Sequence, residues 1–172
     1  MLEKLSLRTW YLGVFVACVG LLAFALYAQH KLFLDPCPLC IFQRLAFAWI
    51  GLFALIAAIH NPQGTRMRWF YGLLVDLGAT VGALIAARHI WLQGLPPDEV
   101  PDCGPGLSYM METMPFMEAM NAVLAGDGSC AELKWSFLGL SMPGWTLLWY
   151  LGFGFITLLL IALKTRARAQ TT

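Results

Sequence analysis

Residues 41–59 read IFQRLAFAWIGLFALIAAI, an apolar stretch whose only charged residue is Arg44. A membrane-spanning helix needs about 20 predominantly apolar residues, so this stretch predicts a transmembrane helix. Three further stretches have the same apolar character, at residues 9–28, 69–87 and 145–163. Backbone groups in hydrocarbon must be hydrogen-bonded internally, and none of the stretches alternates as a barrel strand does. The sequence therefore predicts an all-α transmembrane four-helix bundle that forms one domain over residues 1–172.

The composition excludes an ordinary soluble domain. Hydrophobic residues make up 59% of the 172 residues and charged residues 12%, whereas soluble domains carry about 25% charged residues. The net charge is +1, which gives no reason to expect a nucleic acid partner. Membrane lipid is the expected environment.

The first apolar stretch has a second interpretation as a cleaved secretory signal. Lys4 and Arg8 lie at its start, and the small residues Ala23 and Ala25 lie inside it. The apolar cores of secretory signals are about 7 to 15 residues long, which is shorter than this stretch. We therefore expect residues 9–28 to be retained as a span.

Basic residues are concentrated at one end of the predicted bundle. They lie in the two terminal tails and in the loop between the second and third spans: Lys4, Arg8, Arg66, Arg68, Lys164, Arg166 and Arg168. At the other end are the loops 29–40 and 93–144, and the longer loop contains seven acidic residues and one basic residue. Basic segments stay in the cytoplasm, so both termini are predicted to be cytoplasmic and both of these loops to lie outside.

The long outer loop contains a candidate surface helix. Apolar residues recur there at helical spacing: Met110, Met114, Met117, Met120 and Leu124. Pro115 is tolerated in a first helical turn, and Gly126 can end the helix. We predict a short helix over residues 115–125 on the outer membrane surface. The alternative is that the methionines pack on the loop itself or on the top of the bundle.

Four of the five cysteines lie in the outer loops. Cys37 and Cys40 form a CPLC motif directly before the second span, and Cys103 and Cys130 lie in the long loop. In a bacterium this side is the oxidising compartment in which disulfides persist. Four cysteines allow three pairings, and the sequence alone does not choose among them. Cys18, in the middle of the first span, is interpreted as a packing residue.

The CPLC motif has the features of a redox site. Its two thiols are close enough to form a reactive disulfide, and the positive end of the following helix favours a thiolate. Arg44 lies one helical turn after Cys40, where its charge can stabilise that thiolate; alternatively, it extends to the lipid headgroups. A cysteine pair at the membrane and a second pair in a loop have the layout of an electron relay. A lipid-soluble quinone is the most economical final acceptor.

Two other chemical interpretations remain open. A CxxC pair also suits zinc, although 26 residues separate the other two cysteines and the outer histidine candidates are His30 and His89. We expect no metal. Two structural disulfides are the second alternative, but the loop that a CxxC disulfide closes is too short to constrain the unfolded chain much.

Three segments together resemble the disulfide bond formation protein B (DsbB) family of the bacterial inner membrane: CPLCIFQR at 37–44, ARHIWLQ at 87–93 and GSCAELKWSFLGLSMPGW at 128–145. The resemblance extends to the number of spans, the loop order and the cysteine pattern. It implies a quinone-linked thiol oxidase in the inner membrane, with a periplasmic thioredoxin-like (DsbA-like) partner and ubiquinone or menaquinone as cofactor. It also implies that Cys37 pairs with Cys40 and Cys103 with Cys130.

The resemblance assigns roles to individual residues. The reduced partner attacks Cys103, and the released Cys130 attacks Cys37. The displaced Cys40 thiolate then forms a charge-transfer complex with quinone. Arg44 matches the quinone-site arginine of the family. The preferred quinone, the identity of the partner and the oligomeric state are left open.

Other polar residues of the spans have less certain roles. His89 matches a histidine near the quinone ring, although taken alone it could be an interfacial residue. Gln29 could line the same pocket. Asp76 has no counterpart in the family, so we expect a structural role between helices, with a proton pathway as the alternative. Three tryptophans are assigned to the interfacial aromatic belt: Trp135, Trp145 and Trp149.

Overall fold

A computed structural model describes residues 6–96, 98–100, 112–113, 115, 117–118, 121, 126, 128–132 and 135–169. The described chain is predominantly helical. Its elements in chain order are α1 (Leu7–Lys31), α2 (Pro38–His60), α3 (Thr65–Gln93), α4 (Gly128–Ala131), β1 (Ser136–Phe137), β2 (Leu140–Ser141) and α5 (Met142–Ala169). Among these elements, α1, α2, α3 and α5 are long and apolar enough to cross a membrane. The prediction of four spanning helices is confirmed.

Each of the four long helices extends beyond its predicted span, because the helix ends are set by capping residues as well as by apolar length. Ser6 caps α1, and its side chain accepts a hydrogen bond from the backbone N–H of Thr9. Helix α2 ends at Asn61, whose φ of 46° is left-handed, a common C-terminal conformation. Only residues 32–37 separate α1 from α2, so the outer loop is shorter than predicted.

The long helices pack in chain order around the bundle. Helix α1 packs on α2, α2 packs on α3, and α3 packs on α5. Helices α1 and α5 make few contacts with each other. Small residues of α3 allow this close packing: Gly78 lies against Trp49 of α2, and Gly82 lies against Tyr150 of α5. The incomplete contact between α1 and α5 leaves room for a cavity at the end of the bundle that carries the cysteines.

Gly82→Ala tests the close packing of α3 on α5. A methyl group at this position would lie 2.5 Å from two ring carbons of Tyr150. Tyr150 cannot move freely, because its hydroxyl donates to the backbone oxygen of Gln43 at 2.7 Å. We expect a loss of about 1–3 kcal/mol in the free energy of unfolding, the usual cost of overpacking. Thermal unfolding in detergent measures this loss.

Gly20→Ala is the matched control for this prediction. A methyl group at Gly20 meets no atom within 4 Å, and alanine has the higher helix propensity. The control variant should therefore be at least as stable as the wild type. Equal stability of the two variants would contradict the proposed packing.

Asp76 lies between two helices, as the structural interpretation requires. Its side chain is half-buried, and its Oδ1 lies 2.9 Å from the position that a Cβ of Gly154 in α5 would occupy. The absence of a side chain at Gly154 thus makes room for the carboxyl group. The alternative of a proton pathway stays untested.

The described part of the long outer loop contains two elements that were not predicted. One is the short helix α4, and the other is an antiparallel hairpin in which Ser136 pairs with Ser141 and Phe137 with Leu140. The turn residues Leu138 and Gly139 have φ values of 51° and 79°, as a tight two-residue hairpin turn requires. The all-α prediction is therefore corrected by this small hairpin. The predicted helix over 115–125 lies largely outside the described residues and stays a prediction.

Candidate active site

The CPLC motif forms the first turn of α2. Cys37 is the N-cap residue, and its Sγ accepts the backbone N–H of Cys40 at 3.4 Å. Pro38 occupies the first helical position, where its missing N–H costs no helical hydrogen bond. The two Sγ atoms are 3.1 Å apart. Both sulfur atoms therefore lie at the positive end of the helix dipole, where a thiolate is favoured.

The two cysteines of the motif differ in burial. Cys37 is buried and Cys40 is half-buried, and both residues line the cavity described below. Cys37 packs in a small apolar cluster with Leu39, Leu92 and Cys130. Cys40 is therefore the more accessible of the two cysteines.

Cys130 lies in α4 and is fully buried beside the CPLC motif. It is close enough to Cys40 and His89 for electrostatic interaction with both. The structure thus brings together three of the four predicted cysteines. Cys103 lies outside the described residues, so its position and its pairing stay predictions.

His89 of α3 contacts the CPLC motif. Its side chain is 3% exposed, and its Nε2 lies 3.8 Å from the Sγ of Cys37. His89 is therefore buried against the motif, and its role beside a quinone ring stays a prediction. The donor atoms of Cys37, Cys40 and His89 all lie within 4.8 Å of one another. This spacing also suits a three-ligand zinc site, so the donor set alone does not exclude a metal.

Arg44 is held in place by α1. One terminal nitrogen of its guanidinium donates to Oε1 of Gln29 at 2.6 Å, and the other donates to the backbone oxygen of Ala25 at 3.1 Å. These bonds direct the side chain toward α1 and hold it there. The sequence placed Gln29 in the same pocket as Arg44, but Gln29 is not among the residues that line the cavity described below. The structure gives it a further part, which is to orient Arg44.

Gln43 is a residue of the site that the sequence analysis missed. It is 4% exposed, and its Nε2 lies 3.2 Å from Nδ1 of His89. The hydroxyl of Thr146 in α5 donates to its Oε1 at 2.7 Å. One buried amide thus links α2 to α3 and to α5. The sequence does contain a signal for this residue, which is a side-chain amide within an apolar span, because such amides hydrogen-bond across helices.

With the Gln43 amide oriented so that its Oε1 accepts from Thr146, these hydrogen bonds favour one proton position on His89. The amide nitrogen of Gln43 can only donate, so Nδ1 of His89 is the acceptor. The neutral imidazole then carries its hydrogen on Nε2, which faces the Sγ of Cys37 at 3.8 Å. In this arrangement His89 can stabilise negative charge on Cys37 or give it a proton.

A cavity of about 380 Å³ lies next to these groups, in the gap between α1 and α5. Its polar lining includes Cys40, Gln43, Arg44 and His89. Its walls are rich in aromatic side chains, namely Phe24, Phe47, Trp135, Phe137, Trp145 and Trp149. The three tryptophans that were assigned to the aromatic belt therefore line the cavity. An apolar cavity of this size with a few convergent polar groups is typical of a small-molecule site.

The aromatic wall is held together by contacts between the hairpin and the helices. Trp135 stacks on Phe137 and meets Phe24 of α1 edge to face. The indole nitrogen of Trp145 donates to the backbone oxygen of Phe137 at 3.1 Å. The hairpin thus covers the outer side of the cavity and joins the two helices that scarcely touch.

Comparison with known proteins identifies the family. The sequence model of the family described as "Disulfide bond formation protein DsbB" matches residues 7–160. The chain is 52% identical to Disulfide bond formation protein B of Hahella chejuensis over 151 residues. The aligned region covers 87% of this chain and 90% of that protein. The protein of the same name from Saccharophagus degradans is 51% identical over 147 residues, covering 86% of this chain and 88% of that protein. On the strength of both comparisons, the chain belongs to the disulfide bond formation protein B family.

Proposed function

We propose that this protein is a membrane thiol oxidase that reoxidises a periplasmic DsbA-like dithiol oxidase and passes the electrons to quinone. The observation that carries this proposal is the position of Cys40, which packs against the buried cluster of Cys130 and also lines an apolar cavity together with Arg44. A thiol placed in this way can receive electrons on one side and release them on the other. Family membership supports the disulfide chemistry.

The proposed first step is thiol-disulfide exchange with the partner. A thiolate of the reduced partner attacks Cys103 of the Cys103–Cys130 disulfide. One S–S bond forms between the partner and Cys103, one breaks, and Cys130 leaves as a thiolate. The second thiolate of the partner then attacks its own mixed disulfide, which releases the oxidised partner and the Cys103 thiolate.

The proposed second step transfers the electron pair to the CPLC motif. The Cys130 thiolate attacks Sγ of Cys37, the Cys37–Cys40 bond breaks and Cys40 leaves as the thiolate. Cys37 and Cys130 are both buried members of one apolar cluster, whereas Cys40 packs on that cluster as a half-buried residue, and this supports the order of attack. The dipole of α2 and the charge of Arg44 stabilise the leaving thiolate on the cavity side. The Cys103 thiolate then attacks Cys130, the Cys37–Cys130 bond breaks, and Cys37 leaves as a thiolate that the Nε2–H of His89 can protonate.

The residues of the cavity fit a quinone headgroup. The aromatic walls would hold its ring, and Arg44 offers donors that suit a carbonyl oxygen or a developing negative charge. When bound, quinone supplies the two-electron acceptor that the relay needs. Arg44 is pre-oriented by Gln29, so little conformational entropy is lost when it binds a ligand. Ubiquinone and menaquinone both meet this description.

The proposed location is the bacterial inner membrane with both termini in the cytoplasm. The basic residues Arg8, Arg66, Arg68 and Lys164 lie at the end of the bundle opposite the cysteine site, which supports this orientation. The cysteine site then faces the periplasm, where a water-soluble thioredoxin-like partner can reach the long loop.

Disulfide trapping tests the proposed route. In a Cys40→Ser/Cys103→Ser variant, Cys37 and Cys130 are the two cysteines left at the site. We expect mild oxidation to join them, because both belong to one buried cluster. Peptide mass spectrometry under non-reducing conditions identifies the bond, and Cys18 should stay unlinked.

A second variant provides the matched control. Cys37→Ser/Cys103→Ser keeps Cys40 in place of Cys37, and we expect its bond to Cys130 to form at least several-fold more slowly. If Cys40 reacted as fast as Cys37, or if Cys37 did not react, Cys130 would not be the group that attacks Cys37. The proposed order of electron transfer would then be wrong.

A further inference from the structure

Three potential metal ligands converge at the CPLC motif. Cys37 and Cys40 are free thiols in the structure, and their Sγ atoms are 3.1 Å apart. Nε2 of His89 lies 3.8 Å from Sγ of Cys37, and the three donor atoms all lie within 4.8 Å of one another. In the part of the chain that the structure describes, no other three cysteine, histidine or acidic side chains meet this distance. Thiol exchange uses the two sulfur atoms, but it makes no use of the three donors as a set.

The spacing of the donors fits a tetrahedral zinc ion after small movements. Zn–S bonds of about 2.3 Å and Zn–N bonds of about 2.0–2.1 Å place two sulfur ligands about 3.8 Å apart, and a sulfur and a nitrogen ligand about 3.6 Å apart. The distance from Cys37 to His89 is already close to this value. The two sulfur atoms must separate by less than about 1 Å, which a small rotation of the half-buried Cys40 side chain provides.

The large cavity provides a fourth coordination position and an entry path. All three ligand residues line this cavity, so the open side of the metal would face it and accept a water molecule. The charged side chains in the described lining are those of Asp35, Glu132 and Arg44. Two acids and one base therefore lie along the path, and their net charge does not oppose the entry of a cation.

Gln43 can support the tautomer of His89 that a metal requires. Nε2 must offer its lone pair to the metal, so the ring hydrogen must lie on Nδ1. When the amide of Gln43 turns over, its oxygen accepts this hydrogen across the 3.2 Å contact, and its nitrogen donates to the hydroxyl of Thr146. That hydroxyl then donates to the backbone oxygen of Pro143 at 2.9 Å. Each polar group of this network keeps a partner, so the amide can serve both tautomers.

We propose that Cys37, Cys40 and His89 bind a zinc ion when the CPLC motif is reduced, and that zinc thereby inhibits the protein. The metal replaces the hydrogen of each thiol, two protons are released, and no electron is transferred. The oxidised motif has no thiolate to offer and would hold no metal. Sulfur atoms that donate their electron pairs to zinc cannot close the disulfide until the metal leaves. Metal binding needs only the reduced motif, whereas the inhibition rests on the proposed function.

Titrations with cobalt and zinc test the site directly. The full-length protein is purified in detergent, reduced with a phosphine and freed of reductant under argon, with the oxidised protein as control. Reduced protein should give the visible bands of tetrahedral Co²⁺ and a sulfur-to-cobalt charge-transfer band, and one equivalent of Zn²⁺ should remove both. Absence of these bands, or equal binding by the oxidised protein, would overturn the proposal. Neither partner nor quinone is present, so such a failure would leave the proposed function intact.

Two histidines at the same end of the bundle distinguish this site from nonspecific binding. His89→Ala removes a ligand, whereas His30→Ala removes an exposed side chain near the end of α1. Loss of an outer partner alone costs about tenfold to a hundredfold in metal affinity, so we expect His89→Ala to cost at least about a hundredfold. His30→Ala should bind zinc as the wild type does. Equal affinity of the two variants would contradict the assignment of His89.

Two cysteine variants repeat the test without changing a histidine. Cys40→Ser keeps one of the two sulfur ligands, so the charge-transfer band should fall to about half of its intensity or disappear. Cys18→Ser removes a thiol in the middle of α1 and should leave the band unchanged. A full band in Cys40→Ser would show that the metal lies elsewhere, and the proposal would then be wrong.

Gln43→Glu tests the part assigned to the amide. A carboxylate accepts the Nδ1 hydrogen of His89 in either orientation, so it should favour the tautomer that binds metal. We expect Gln43→Glu to bind zinc about tenfold more tightly than the wild type and Gln43→Leu about tenfold more weakly. Equal affinities of the three proteins would show that Gln43 does not orient His89 toward a metal.

The inhibition is measured with a reduced thioredoxin-like oxidase and a soluble ubiquinone analogue. Quinone reduction should stop at the zinc concentration that fills the site and return when a chelator is added. Oxidation of the partner by a second oxidant, measured at the same zinc concentration, controls for zinc bound to the partner. Full turnover at saturating zinc would overturn the inhibition. A protein that reduces no quinone without zinc would instead contradict the proposed function, and the cobalt spectrum would still report on the metal site.

Discussion

Gln43→Leu should lower the turnover number for quinone-coupled thiol oxidation by about tenfold to a hundredfold. Leucine has a similar size but cannot hydrogen-bond, so both Nδ1 of His89 and the hydroxyl of Thr146 lose a partner. The imidazole would then be free to change its tautomer and its orientation toward Cys37. Because Gln43 acts through His89, the effect should fall on the turnover number more than on the KM for quinone.

Thr146→Val is the comparison variant for Gln43→Leu. It removes the hydrogen bond from the Thr146 hydroxyl to the Gln43 amide but leaves the bond between Gln43 and His89. Because the donor itself is removed, no buried donor is left without a partner. We expect a loss of turnover of less than about tenfold. Unfolding curves in detergent distinguish a catalytic effect from a loss of the fold. A folded Gln43→Leu protein with wild-type turnover would show that the amide does not position His89.

Arg44→Leu should raise the KM for quinone by about tenfold to a hundredfold. Arg44 is the basic residue among the described lining of the large cavity, and its loss removes both the fixed charge and several hydrogen-bond donors. Arg44→Lys restores the charge but not the planar arrangement of donors, so we expect an intermediate KM. Initial rates at saturating reduced partner and varied quinone concentration give the KM.

Gln29→Leu separates orientation from charge in the same assay. It removes the 2.6 Å bond that holds the guanidinium, while the bond to the backbone oxygen of Ala25 remains. We expect a smaller rise in the KM than for Arg44→Leu. A KM within twofold of the wild-type value in Arg44→Leu would contradict the assignment of this cavity to quinone.

The features that the sequence predicted best are local ones. Apolar length is a property of each segment, so the four spanning helices could be recognised one at a time. The closeness of Arg44 to Cys40 follows from helical spacing, and the CPLC motif at a helix start follows from Pro38 and the apolar run behind it. Helix limits were less predictable, because they depend on capping residues such as Ser6, Cys37 and Asn61, which lie outside the apolar stretches.

The features that the sequence did not predict depend on contacts between distant segments. Gln43 becomes part of the site only when α3 and α5 bring His89 and Thr146 to it. Gln29 and Arg44 were both placed in the pocket, but their direct bond depends on the packing of α1 on α2. The hairpin lacks the usual Asn-Gly turn signal and has Leu138 at positive φ instead. Its role as the outer wall of the cavity arises from tertiary packing.

The central claim is that electrons from a periplasmic dithiol leave the protein through Cys40. The most direct test adds a reduced thioredoxin-like oxidase and a soluble ubiquinone analogue to the purified protein and follows quinone absorbance together with partner oxidation. Since one disulfide yields two electrons, we expect one quinone reduced for each dithiol oxidised, and no quinone reduction by Cys40→Ser. If the wild-type protein reduced no quinone while a second oxidant still oxidised the partner, the claim would be wrong. Structural disulfides or a metal site at Cys37, Cys40 and His89 would then be the better account of the same geometry.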